Sequence, residues 1–296
     1  MILRIEGGNA MSQIEINSDK CNSCGTCIAI CTKECISGKE EGSTPVIDHP
    51  ESCIVCGHCI AACPADAMNH PEMSKAEFSR VYTDGIDPKT LARFLASKRS
   101  VRKYSDQPVE QEIIEKILKA GSCAPQAKNS RTQNFHLITD PDKIEEMEQA
   151  VVNAYRKVIK LASPPIRPLI GCILPHKGRL LKNVRPSLER LVQKADNGGK
   201  PIFHSAPVVI AIDGLKSNLL AKDDASIAMQ YMMMLAYAEG IDSCLIGYAS
   251  SRPASLRKIL NVPKDREVQV VAIFGHGSMK YKTSIWREMV KTARLS

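Results

Sequence analysis

The sequence predicts a two-part protein: a small cysteine-dense head, then a larger body that mixes helices and strands. Three observations predict it. Nine of the 12 cysteines lie between Cys21 and Cys63, which marks a local site rather than a property of the whole chain. The 296 residues exceed one small module and suit two domains of about 100 to 200 residues each, and a 44% hydrophobic content can build a core. Beyond residue 88, segments of helical period alternate with short apolar strands.

Charge divides along the same line. Between 11 and 70, eight acidic side chains face three basic ones, a net charge of −5. Arg4 and Glu6 cancel, and the whole chain carries +8, so 71–296 carries +13. Few aromatics accompany that positive charge, and no zinc-finger or RNA-recognition signature appears, so nucleic acid is not expected as a partner. No run approaches the roughly 18 apolar residues of a membrane span. Ile2, Leu3 and Ile5 are interrupted by Arg4 and Glu6, so no secretory signal is read and a cytoplasmic location is expected. Met11 offers an alternative start.

In the head the cysteines fall in two sets, Cys21, Cys24, Cys27, Cys31 and Cys53, Cys56, Cys59, Cys63, and the second repeats the first at an offset of 32. Disulfides do not suit the tight x2 spacing, and zinc sites use two x2 pairs separated by a longer loop. Three thiolates two residues apart wrap three corners of an iron–sulfur cube, with the fourth ligand coming from the other half of the repeat. The expected metal ligands are therefore Cys21, Cys24, Cys27 and Cys63 for one [4Fe–4S] cluster, and Cys53, Cys56, Cys59 and Cys31 for the other. The segment resembles a bacterial-type two-cluster ferredoxin over roughly 13–70. Thr32 stands where that family usually has proline, and Pro64 keeps it in the second set. Gly25 and Gly57 suit close wrapping around sulfide, and Cys35 lies outside the ligand pattern.

Residues 71–88 read as a linker with one short helix. A helix follows from Asp87, with Pro88 in its first turn and Leu91, Phe94 and Leu95 on one face. It leads into Lys98, Arg99, Ser100, Val101, Arg102, Lys103 and Tyr104, whose cations and hydroxyl suit a dianionic phosphate. A second amphipathic helix carries Ile113, Ile114, Ile117 and Leu118. Next comes a loop with Ala124, Pro125, Gln126 and Asn129, and then a strand over 135–138. Farther on lie a buried strand over 208–212, a Met-rich helix over 224–239 closed by Gly240, the turn Leu245, Ile246, Gly247, and a strand over 268–275 followed by His276, Gly277, Lys280 and Lys282.

In this order the segments of 90–290 resemble the FMN-dependent nitroreductase family. The resemblance implies an α+β fold, an α/β/α sandwich with a mixed central sheet and FMN at a homodimer interface, covering 89–296 and preceded by the small ferredoxin-like domain over 11–70. It also implies the FMN-binding residues: Lys98, Arg99, Ser100, Arg102, Lys280 and Lys282 for the phosphate, Asn129 for the ring with Gln126 in the same loop, and Leu245, Ile246 and Gly247 along the ring edge. Gln126 replaces the family's serine, and His276 and Gly277 replace its aromatic and proline. Arg287 is a further basic candidate, and 164–202 holds the insert that in the family covers the flavin. No catalytic nucleophile or acid–base triad is expected.

Together the two halves imply an oxidoreductase in which clusters relay single electrons to or from FMN, with a nitro compound as leading acceptor. Quinones, flavins, activated alkenes and halogenated aromatics are alternative acceptors, and NAD(P)H or an external ferredoxin is the donor. A non-enzymatic electron carrier or redox sensor is the reading from another class.

Overall fold

The computed structural model describes residues 14–38, 42–82, 85–161, 163, 175–288 and 290, with the side chains of 175–182 outside the description. Cys172, the side chain of His176 and residues 1–10 lie outside it. Two compact units emerge. The first comprises the described part of Met1–Gly85 together with Ala127–Ser130, and the second comprises Ile86–Gln126 and the described part of Arg131–Ser296.

The first unit shows the sequence repeat in its backbone. β1 (Glu15–Ile16) pairs antiparallel with β4 (Met68–Asn69), and β2 (Ile36–Ser37) with β3 (Val46–Ile47). Short helices α1 (Thr26–Ile30) and α2 (His58–Ala61) each start from a left-handed glycine, Gly25 at φ 71° and Gly57 at φ 72°. Left-handed residues recur at the same offset, Ser23 with Val55 and Glu34 with Asp66. Valine in that region is costly because of its branched Cβ, so Val55 is held there by its surroundings. The core is thin: Ile14, Ile36, Met68 and the thiols Cys27 and Cys35. Beyond it, Ser74 and Glu77 close a capping box around a single helical turn, the short helix expected in the connector.

The second unit begins with α3 (Pro88–Ser97), capped by the Asp87 carboxylate, which accepts from the N–H groups of Lys89 and Thr90. α4 (Gln111–Ser122) buries Ile114, Ile117 and Gly121 against α7 (Ala221–Ala238), where Gly121 leaves room for the Met232 side chain. Between them come β5 (Asn134–Ile138), α5 (Pro141–Leu161), α6 (Pro175–Asp196) and β6 (Val208–Leu215). The chain ends with β7 (Asp242–Leu245), short helices α8 (Gly247–Ser250) and α9 (Pro253–Leu256), and β8 (Arg266–Gly275). α6 continues through Pro186.

The sheet runs β5-β6-β8-β7 with antiparallel ladders, and a parallel bridge from Ser100 to Ser243 makes it mixed. Successive side chains of a strand point to opposite faces, and both faces are covered here. Val209, Ala211, Val271 and Ile273 join the core that includes Met147, Val151 and Tyr155 of α5. Val208, Ile210, Ile212, Val270, Ala272 and Phe274 join the one that includes Ile114 and Ile117 of α4 and Met229 and Met232 of α7. This is the helix–sheet–helix sandwich. The Met cluster is core, and Gly240 (φ 81°) ends α7 with Ile241 N–H donating to Ala236 O.

At the end of β8 a Cβ on Gly275 would lie 2.7 Å from Pro207 Cδ and 2.8 Å from Tyr104 Cδ1. The Pro207 ring is closed onto the backbone, and the Tyr104 hydroxyl donates to Val101 O at 2.7 Å, which holds its ring. Gly275→Ala is expected to destabilise the second unit by about 1–3 kcal/mol through overpacking, read as a lower denaturant midpoint, whereas an unchanged midpoint would show that the rings can yield.

Candidate functional site

Two cavities in the first unit sort the cysteines across the repeat. Cys31, Cys53, Cys56 and Cys59 line one, together with Cys35 and His70, and Cys21, Cys24, Cys27 and Cys63 line the other. The repeat therefore crosses over: each cavity takes three thiols from one half and the fourth from the other. Among the described residues all cysteines are free, and no three of His, Cys, Asp and Glu converge closely enough to hold a single metal ion. Four thiols spread around a cavity fit a multi-iron cube better than tetrahedral zinc.

Backbone N–H groups point at the same sulfurs in both halves. Ser23 N–H donates to Cys21 Sγ and Val55 N–H to Cys53 Sγ, each at 3.4 Å; Cys35 N–H donates to Cys31 Sγ at 3.3 Å and Ala67 N–H to Cys63 Sγ at 3.2 Å. Such donors stabilise thiolate and raise a cluster's potential. Burial pushes the Cys59 thiol up to about 11, aided by the neighbouring Cys56 and Cys53. Cys35 is pushed to about 12 by burial, with Cys31 next, and its Sγ–H turns to Lys33 O at 3.7 Å. Cys35 thus stays a buried thiol beside the ligand set. The buried His70, with Nε2 4.0 Å from Cys53 Sγ, was not singled out from sequence, where a lone histidine beyond the motif carries no signal.

In the second unit the basic heptad leaves α3 as an extended segment along β7 and the end of β8. Val101 N–H donates to Ser243 O, Ser105 N–H to His276 O and Ser278 N–H to Lys103 O. Segments more than 140 residues apart in sequence thereby form one edge. Arg99 is half-buried, and Ser100, Arg102, Lys280, Lys282 and Arg287 are exposed. Lys98 faces the backbone: its Nζ donates to Arg99 O at 3.1 Å and Ser243 O at 3.0 Å, and burial pushes its pKa down. Leu245 and Gly247 are exposed with open space over Gly247, whereas Ile246 is buried and donates its N–H to Val271 O at 2.8 Å. Gln126 Oε1, both amide atoms of Gln133, and Ser243 Oγ are buried without a hydrogen-bond partner among the described residues. Cations on one edge, an open glycine turn and unsatisfied amides fit a phosphate-bearing planar cofactor. Asn129 lies in the Ala127–Ser130 loop, which groups with the first unit, and its Nδ2 donates to Ile54 O and Val55 O.

The loop entering β6 carries a second unexpected feature. Phe203 and Ala206 are buried, and the chain between them turns through left-handed His204 (φ 53°) and Ser205 (φ 56°). Burial holds the His204 imidazole down at about 4, with the charges of Lys194 and Arg102 adding to the shift. The unfolded chain binds that proton near pH about 6.5. Stability contributed by neutral His204 is therefore full above that value and is lost as pH falls towards about 4. His204→Asn, which tolerates the left-handed backbone, is expected to flatten the decline in urea midpoint between pH 7.5 and 5; a decline as steep as the parent's would remove His204 as its source.

An α/β/α sandwich with a cationic edge beside an open glycine turn, and a head with two cysteine-ringed cavities, define a redox protein class. Residues 95–276 match the model of the nitroreductase family, and residues 20–68 match that of the 4Fe-4S dicluster domain. The chain belongs to the nitroreductase family and is an oxidoreductase with an N-terminal 4Fe-4S dicluster domain. A relative from Archaeoglobus fulgidus, provisionally named NADH dehydrogenase/NAD(P)H nitroreductase, is 32% identical over 62% of this chain and 83% of its own length. One of the same name from Methanothermobacter thermautotrophicus is 30% identical over 31% of this chain, and the match spans 47% of that relative. The nitrobenzene nitroreductase of Ectopseudomonas oleovorans is 26% identical over 59% of this chain and 81% of its length. Among solved structures, the nitroreductase of Bacteroides fragilis with bound FMN superposes with TM-score 0.53 at 17% identity, covering 69% of this chain and 98% of that one. Among the described residues, no helix is long and apolar enough to cross a membrane.

Proposed function

We propose that this oxidoreductase binds two [4Fe–4S] clusters through the eight cysteines and FMN along the cationic edge, and reduces an organic acceptor, foremost a nitro compound. The observation that carries the reading is the crossed sorting of the cysteines into two cavities, which supplies a two-cluster relay in a chain of this family. Bound FMN exchanges electrons singly with one-electron centres and in pairs with organic molecules, and this pairs the two halves functionally.

The chain's own residues bind and position. Arg99, Ser100, Arg102, Lys280 and Lys282 hold the phosphate by charge-assisted hydrogen bonds. Gln126 supplies an amide for the ring, and the exposed Leu245 and Gly247 leave its edge room to dock. Lys98 ties the carbonyls of Arg99 and Ser243 together and so holds the edge in shape. The chain works as a homodimer: Ile227 and Tyr231, one turn apart on α7, are 40% and 45% exposed, an apolar stripe suited to a second copy. NAD(P)H, an external ferredoxin or both supply electrons.

Anaerobic reconstitution followed by absorption spectroscopy and stopped-flow mixing with NADPH tests the reading. Expected are both a flavin band and the broad cluster absorbance, followed by turnover of a nitroaromatic by a dimer in light scattering. A protein that retains neither chromophore, or holds both without reducing any nitroaromatic from NADPH or reduced ferredoxin, would overturn it.

A further inference from the structure

We infer that Asn129 is a positioning residue of the Cys53–Cys56 turn, tying down the backbone that surrounds one cluster. The inference rests on the two-cluster reading and assigns Asn129 a role other than the flavin contact expected from the sequence. Its Nδ2 donates to Ile54 O at 3.1 Å and to Val55 O at 2.7 Å, so both amide hydrogens go to the two peptide groups between the cysteines. Because both neighbours are carbonyl acceptors, the amide must present its NH2 to them.

Three features show that this contact is specific. Ile54 and Val55 line the same cavity as Cys31, Cys53, Cys56 and Cys59. Val55 sits in the left-handed region at φ 52°, and in that conformation its N–H reaches Cys53 Sγ at 3.4 Å; the amide holds the far side of the same residue through its carbonyl. The Asn129 loop is itself turned by successive left-handed residues, Lys128 at φ 53° and Asn129 at φ 50°, which aim the carboxamide. The repeat supplies an internal comparison. At the equivalent turn Ser23 is left-handed at φ 56° and donates to Cys21 Sγ, yet among the described residues no hydrogen bond reaches the carbonyl of Asn22 or Ser23. With serine rather than valine, that turn carries no branched Cβ in the left-handed region. The tie therefore appears at the turn that needs it.

Fixing the Ile54 and Val55 carbonyls keeps the Val55 N–H pointed at Cys53 sulfur, and hydrogen bonds to ligand sulfur raise a cluster's potential. The consequence is an asymmetric pair of clusters, the one beside Cys53 being the more positive for this contact.

The test uses the full-length protein, reconstituted anaerobically, as the parent, Asn129→Ala and Asn129→Asp, the last placing a carboxylate against two carbonyls. Iron and acid-labile sulfide, bound flavin, and an EPR-monitored redox titration are measured together. Expected is a negative shift of one of the two cluster potentials in Asn129→Ala, and in Asn129→Asp a fall of iron by up to about half as that cluster is lost, with the other cluster and the flavin content unchanged. Two clusters with parental potentials in both variants, or loss of flavin with both clusters intact, would overturn the inference. A parent that assembles no clusters would instead sink the two-cluster reading itself, so the two failures are distinguishable.

Discussion

Pairing Cys63→Ala with Cys21→Ala is expected to leave one intact [4Fe–4S] cluster, whereas pairing Cys63→Ala with Cys53→Ala is expected to leave none. The reason is the crossing. Cys63 belongs by sequence to the second motif but shares its cavity with Cys21, Cys24 and Cys27, while Cys31 crosses in the other direction. Two changes in one cavity damage one site, and changes in different cavities damage both. Iron per chain should fall from about eight to about four in the first pair and towards zero in the second. If each motif served its own cluster, the outcomes would exchange, which makes the pair of double variants decisive where single changes are not. The second pair should also lose the fold of the head. Its buried core is a handful of side chains, two of them thiols, and a unit that small relies on its metal centres for stability. Circular dichroism and limited proteolysis would then report an unfolded first unit next to an intact second one.

The crossing was legible in the sequence because ligand chemistry imposes spacing, and spacing survives in a one-dimensional string. Strand placement in the second unit was legible from near-continuous apolar runs over 208–212 and 268–275, which suit strands covered on both faces, and both faces are buried. Orientation was not legible. The heptad from 98 to 104 reads as uniform positive charge, yet Lys98 turns inward to backbone carbonyls while Arg102 stays exposed, a distinction set by β7, some 145 residues away. Asn129 sits in a motif whose family role is flavin contact, but the acceptors that claim its amide lie about 75 residues upstream, and no local pattern announces them. Left-handed Val55 and His204 escaped for a related reason. The branched side chain of Val55 argues against that backbone, and no local pattern announces the turn at His204.

Arg102→Ala is expected to weaken FMN binding by about 10- to 150-fold, while Lys98→Ala lowers stability and leaves affinity within a few-fold. Arg102 is exposed on the edge formed by the heptad and the end of β8, with a guanidinium free to meet a phosphate dianion. A charge-assisted hydrogen bond of that kind contributes about 1.5–3 kcal/mol, from which the fold-change follows at 1.4 kcal/mol per factor of ten. Lys98 cannot contribute in the same way. Its ammonium is half-buried and hydrogen-bonded to Arg99 O and Ser243 O. Removing it takes the donor from Arg99 O and leaves Ser243 O with the Val101 N–H alone, a cost of about 1–3 kcal/mol to the fold. Because the Arg102 contribution is electrostatic and exposed, parental affinity should also fall with added salt, and the Arg102→Ala protein should lose part of that dependence. Fluorescence titration of flavin into apoprotein across a salt series, with thermal midpoints measured alongside, separates the two roles. Equal affinity losses in both variants at unchanged midpoints would return Lys98 to the phosphate site and show that its side chain turns outward when the cofactor binds.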